Sequence, residues 1–166
     1  MARKQSSSQR ITVENFMNDR MVMLDYQKSV ADAARTMVEN TVSSVVVTRD
    51  DEAVGIATER DIVKIAAKDV PLDGVTIGSL MSRPIVSISR AASVEEAAES
   101  MVKNRVRHLV VRESPDKGVG EGEIVGIMSA SDIARYLKQK LVSREAESRL
   151  MEAIYPTETE GERLFW

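Results

Sequence analysis

Two matching stretches of the chain follow a Gly-Ile pair with a hydroxyl three residues ahead of an aspartate: Gly55-Ile56-Ala57-Thr58-Glu59-Arg60-Asp61 and Gly126-Ile127-Met128-Ser129-Ala130-Ser131-Asp132. At a helix start this spacing makes a capping box, with Thr58 or Ser129 as N-cap and Asp61 or Asp132 as the third helical residue. A carboxylate in the first turn also interacts well with the helix dipole. The same geometry has a second use. A carboxylate accepts charge-assisted hydrogen bonds from both hydroxyls of a ribose diol, and the hydroxyl and N–H groups at a helix start receive phosphate oxygens. Capping does not exclude binding.

Other chemistries are poorly supplied. The chain has no cysteine and one histidine, so disulfide scaffolds, thiolate metal sites and cysteine nucleophiles are excluded. It lacks G-x-S-x-G, G-x-x-x-x-G-K-[ST] and H-E-x-x-H, and the expectation is a protein with no catalysis and no metal of its own. Asp50-Asp51-Glu52 carries hard-cation donors, but between two apolar runs it reads as a solvated hairpin turn. A net charge of −3 disfavours binding of nucleic acid through a bulk basic field. No apolar run approaches the roughly 18–20 residues that span a bilayer, and the start, MARKQSSSQR, is followed by no apolar h-region. The expectation is a soluble, cytoplasmic protein.

The elements that must position Asp61 and Asp132 come in two copies. Ser29, Val30, Ala33, Ala34, Met37 and Val38 recur 64 positions later as Ser93, Val94, Ala97, Ala98, Met101 and Val102. VGIATERDI from Val54 matches VGIMSASDI from Val125 at a spacing of 71. The seven extra residues fall among Ser114–Glu123, a Pro/Gly/charge-rich loop. In each copy the recurrence at i, i+3, i+4, i+7 and i+8 predicts a helix with one apolar face, started by Ser29 or by the Ser93/Glu96 capping box. Met37 and Met101 read as packing on those faces. Extended runs follow at Val45–Thr48 and His108–Val111, then at Val54–Ala57 and Ile124–Met128. Others precede the helices at Met21–Leu24 and Ile85–Ser89. A second helix begins near Glu59 and near Ala130. The order is β-α-β-β-α, twice, an α+β fold whose halves complete one core with pseudo-two-fold symmetry. The division is a polar N-terminal segment 1–15, units 16–72 and 80–140 joined through Ala66–Ser79, and a C-terminal extension 141–166.

Three motifs carry a family resemblance: MSRPIVSI, AAESM and GIMSASD in the second copy, and NDRMVML, AARTM and GIATERD in the first. Over about Phe16–Gln139 the chain resembles the cystathionine-β-synthase (CBS) domain family, specifically a tandem pair, also called a Bateman module. That resemblance implies a stand-alone regulatory module, an energy or ligand sensor. It would bind adenosyl compounds (AMP, ADP or ATP, with S-adenosylmethionine and NAD as further options) between the halves, and would associate as a homodimer. By the family pattern one site combines Thr58 and Asp61 with Ile85, Val86, Ser87, Arg107 and His108, with Arg60 in reach of a phosphate. The other combines Ser129, Ser131 and Asp132 with Met21, Val22, Met23, Ser43 and Ser44. Arg107 and His108 can neutralise phosphate, whereas Ser43 and Ser44 offer neutral hydroxyls, so the first site is expected to take the more charged ligand. Arg20 in place of Pro84 and Met23 in place of Ser87 weaken the second. Without the resemblance, His108 is an ordinary strand-edge residue and Lys103, Arg105 and Arg107 are a solvated basic helix end.

Outside the repeat, Ser143-Arg-Glu-Ala-Glu resembles a new helix start, with Leu150, Met151 and Ile154 as a short stripe before Pro156. The chain ends Leu164-Phe165-Trp166, which would dock on a dimer partner, anchor another protein, or fray. An adaptor with degenerate clefts, binding a partner protein through this tail, is the alternative function.

Overall fold

A computed structural model describes residues 11–113 and 122–154. Most of the Ser114–Glu123 insertion and the Leu164-Phe165-Trp166 end lie outside the described residues. The order is β1 (Met23–Asp25), α1 (Val30–Asn40), β2 (Ser44–Arg49), β3 (Glu52–Thr58), α2 (Glu59–Ala66), β4 (Ser87–Ser89), α3 (Val94–Asn104), β5 (His108–Arg112), β6 (Ile124–Ser129) and α4 (Ala130–Ile154). It is the expected β-α-β-β-α, twice.

The helix starts follow from their caps. Ser29 Oγ accepts the Asp32 amide at 3.0 Å and Ser93 Oγ accepts that of Glu96 at 3.1 Å, so α1 and α3 begin where an orphan N–H finds a side chain. Both helices end on a left-handed residue, Thr41 and Arg105, with φ of 54° and 55°. That turn sends the chain straight into β2 and β5.

Each half forms a three-stranded sheet, β1-β2-β3 and β4-β5-β6. The first pair in each is parallel, because a helix crosses between them, and the second is an antiparallel hairpin. Asp50 and Asp51, with φ of 51° and 62°, make the two-residue hairpin turn that the Asp50-Asp51-Glu52 run suggests. The two sheets meet face to face through Val46 and Ile56 against Val110 and Ile127. On the outer faces Ala33 and Met37 pack on Val45, Val47 and Ala57, and Ala97 and Met101 pack on Leu109, Val111 and Met128.

Two differences from the sequence reading matter. First, each half is closed by a segment that sequence alone gives to its surroundings. Val13 and Phe16 lie in the core of the second half with Val94, Met101 and Leu109. Val13 N donates to Ala92 O at 2.8 Å, and Asn18 exchanges two hydrogen bonds with Ile127. In the same way Ile77, from the expected connector, is buried in the first half, and Ser82 pairs with Ile56. Residues 11–15 are therefore structural, not merely a polar lead. Second, no helix starts at Ser143. α4 is continuous from Ala130 to Ile154, and Ser143 Oγ donates back to Gln139 O at 3.0 Å, a bond made inside a helix.

The glycines that open the two hydroxyl–carboxylate motifs let the closing segments approach. A Cβ on Gly126 would sit 2.8 Å from the Asn18 carbonyl oxygen, which is backbone, whereas one on Gly55 would meet only the Met81 side chain, which can turn aside more readily than backbone. Gly126→Ala is expected to cost about 2–3 kcal/mol and Gly55→Ala under about 1 kcal/mol, compared by urea denaturation.

Candidate functional site

The two strand-to-helix turns are built alike. Glu59 N donates to Ser43 O at 3.1 Å and Ala130 N donates to Arg107 O at 2.9 Å, which pins each helix start against the neighbouring strand. Asp61 and Asp132 are 7% and 9% exposed. Asp61 Oδ2 accepts the Thr58 amide at 3.1 Å and its hydroxyl at 2.8 Å, and Oδ1 accepts Lys64 Nζ at 3.0 Å. Asp132 Oδ2 accepts the Ser129 amide at 2.7 Å and hydroxyl at 2.6 Å, and Oδ1 accepts the Arg135 guanidinium at 2.8 Å. The carboxylates therefore cap, as the spacing requires, and each turns its second oxygen to a cation.

Those cations are held differently. The Arg135 nitrogen also donates to Phe16 O at 2.8 Å, so it is fixed at two points. Lys64 has a side chain 62% exposed and a single carboxylate partner, which a diol can displace. Burial pushes the Asp61 carboxyl up, but hydrogen bonds from Lys64 and Thr58 outweigh it and leave it below the ordinary value, hence ionised.

Beside Asp61 is a cleft of about 160 Å³ lined by Thr58, Arg60, Asp61, Val86, Arg107 and His108, all named from the sequence. It also takes Ser82 and Pro84. Ile85 does not line it: it packs in the inter-sheet core with Val46 and Val110. Ser82, Pro84 and Val86 line the cleft from the stretch before β4, while Ser87, the first residue of β4, does not.

Beside Asp132 is a smaller cleft of about 120 Å³ that includes Ser43, Ser44, Ser129 and Asp132. Here the sequence expectation needs correcting. Met21 and Val22 pack into the cores, and Met23 is half exposed beside Glu52 and Arg112 at the far end of the sheets. In their place Asn18 and Arg20 line the cleft, 64 positions before Ser82 and Pro84. Arg20 is thus a cation for the second cleft, and its alignment with Pro84 was the signal. Ser131 lies between the two clefts in a central cavity with Arg60, Arg107 and His108.

His108 Nε2 is 3.2 Å from Ser43 Oγ. Burial first, then the charge of Arg107, hold its imidazole below the ordinary pKa, against weaker opposing pulls from Asp132, Glu59 and Asp61. It is neutral at pH 7. Among the described residues no cluster of acidic, His or Cys side chains is suited to a metal, and no helix is long and apolar enough to cross a membrane.

Comparison with known proteins agrees with this geometry. The family model for the CBS domain matches twice, over residues 13–68 and 77–139. An uncharacterized 17.7 kDa protein of Acidianus ambivalens is 34% identical over 110 residues, 66% of this chain and 62% of that protein. The chain thus spans under two thirds of that relative's length. A conserved CBS domain protein of unknown function from Thermoplasma acidophilum superposes with a TM-score of 0.67 at 29% identity, covering 76% of this chain and 68% of the other. A CBS domain protein from Pyrobaculum aerophilum, complexed with AMP, superposes with a TM-score of 0.63 at 27% identity over 74% of this chain and 89% of that one. With the doubled motif, the facing sheets and two matches of the family model in register, the chain belongs to the CBS domain family and carries two copies of that domain as a tandem pair.

Proposed function

We propose that this pair is a non-catalytic regulatory module that binds an adenosyl ligand, with AMP, ADP or ATP preferred over S-adenosylmethionine or NAD. The observation that carries the reading is the pair of nearly buried carboxylates, Asp61 and Asp132, each in a cleft that shares His108 with a central cavity lined by Arg60 and Arg107. Asp61 grips the ribose diol, Val86 and Ile56 supply apolar wall for the base, and the phosphates meet the two arginines. The first cleft takes the more charged ligand, since the second has Arg20 alone and a carboxylate tied more firmly. The related structure with AMP supports the ligand class. Val38 and Val102, both 79% exposed at equivalent places on α1 and α3, suit an interface between two copies.

A thermal-shift screen with AMP, ATP, NAD, S-adenosylmethionine and short RNA tests this. Ligand at a hundredfold excess over Kd adds about 2.7 kcal/mol of stability, a rise in Tm of roughly 5–10 °C at this size. Stabilisation by RNA alone, or by nothing, defeats the reading.

The neutral imidazole gives a pH signature. A phosphate beside His108 favours its protonated form, so on going from pH 7.5 to 5.5 AMP or ATP binding to the wild type should hold up better than binding to His108→Gln, the ligand's own phosphate titrating equally in both. Adenosine, which lacks the charge, shows no such trend in calorimetry. The free protein behaves oppositely. With its folded pKa depressed, His108 contributes stability above the ordinary value of 6.5, and that contribution is lost as pH falls below it through the folded value.

A further inference from the structure

Each half pairs its nearly buried carboxylate with a cation one turn further along the helix, Lys64 with Asp61 and Arg135 with Asp132. The two cations are equally open to water, with side chains 62% and 61% exposed. They differ in what else they hold. Among the described residues Lys64 donates to Asp61 alone, whereas one Arg135 nitrogen donates to both Asp132 Oδ1 and Phe16 O, each at 2.8 Å. That carbonyl is a fixed point. Phe16 lies in the core of the second half, and its own amide donates to Val13 O at 3.0 Å.

The difference matters because acceptor sites are few. An ionised carboxylate offers about four lone-pair sites. In both aspartates Oδ2 gives two of them to the amide and hydroxyl of the cap, and Oδ1 gives one to the cation. One site is left. A ribose diol brings two hydroxyls, so it binds through both only where the cation gives way. An exposed lysine with one partner gives way readily. A guanidinium is a rigid planar fork, and both hydrogens of the bonded Arg135 nitrogen are in use. Moving that nitrogen off Asp132 strains or breaks its bond to a carbonyl that the core holds still.

We propose that Arg135, acting through Asp132, is a positioning residue that sets the sugar specificity of the second cleft. It keeps one acceptor site of Asp132 occupied, so this cleft takes a single sugar hydroxyl and accepts ribonucleosides and deoxyribonucleosides alike. The first cleft, where Lys64 yields, selects the intact diol. This rests on the reading of the clefts as adenosyl sites and adds which sugar each accepts.

Calorimetric titration of the full chain with adenosine and 2′-deoxyadenosine tests it, the clefts being separated by Asp132→Ala and Asp61→Ala. In Asp132→Ala protein, which keeps the first cleft, adenosine should bind at least about tenfold more tightly than the deoxynucleoside, the effect of one charge-assisted hydrogen bond. In Asp61→Ala protein the two should differ by under about threefold, since neither gains a second bond. Adding Arg135→Lys, which gives the second half the lysine of the first, or Arg135→Met, which removes the cation, should raise that ratio to about tenfold. Loss of a merely structural contact would weaken both ligands equally and leave the ratio alone. A ratio unchanged in both variants overturns the proposal, as does a tenfold preference already present with Arg135 in place. If Asp61→Ala protein binds neither nucleoside, with or without the exchange at Arg135, the inference falls while the reading of the first cleft stands. If wild-type protein binds neither, the reading of the clefts fails and the inference goes with it.

Discussion

Alanine at Asp61 is expected to weaken AMP or ATP binding in the first cleft by at least about 100-fold, since two charge-assisted hydrogen bonds to a diol contribute about 1.5–3 kcal/mol each. The fold should survive. Asp61 caps α2 through Thr58, and losing a cap costs about 0.5–2 kcal/mol, while its bond to the largely exposed Lys64 adds little. Calorimetry measures the affinity, and circular dichroism of the same sample checks the fold. Asp132→Ala should change first-cleft affinity by under about threefold, because Asp132 lines the other cleft and does not touch the first. Wild-type affinity in folded Asp61→Ala would remove the central role of that carboxylate.

Phe16→Ala is expected to destabilise the protein by about 3–5 kcal/mol, the usual cost of emptying an aromatic core position. The Phe16 ring meets Tyr136 edge to face, with centroids 5.3 Å apart, inside the core that holds Val94, Met101 and Leu109. The damage should appear in the half whose sequence begins some seventy residues later. Urea denaturation gives the size, and hydrogen exchange gives the place: faster exchange in β5 and β6, with β2 and β3 retaining more protection. A loss confined to β2 and β3 would contradict the closing role of this segment.

Much of the architecture was legible because its signals are local and occur twice. Ser29 and Ser93 mark the starts of α1 and α3, and the hydroxyl–x–x–Asp spacing marks α2 at Glu59 and α4 at Ala130. The exchange of closing segments was not legible. Val13 against Ala92 and Ile77 against Lys28 are pairings between distant residues, and no local period encodes them. In the site, residues on the strand-to-helix turns were found by motif, whereas the neighbouring strand was read as a block. The stretch just before β4 puts Val86 in the cleft and Ile85 in the core. Arg20 was visible only as a departure from Pro84, and its change of role follows from where the turn before β1 points. Ser143 misled because a serine before acidic residues serves equally well inside a helix, where its hydroxyl donates to the second lone pair of a carbonyl in the previous turn.

The crossed closure also orders assembly in time. During synthesis the first half has all its parts once Ser82 has emerged. The second must wait for β6, with Val13 and Phe16 made long before their partners. At about 5–20 residues per second that wait lasts some seconds, during which those apolar side chains have no home. A nascent pair is thus a finished half carrying an idle hook, and β6 is the strand that catches it.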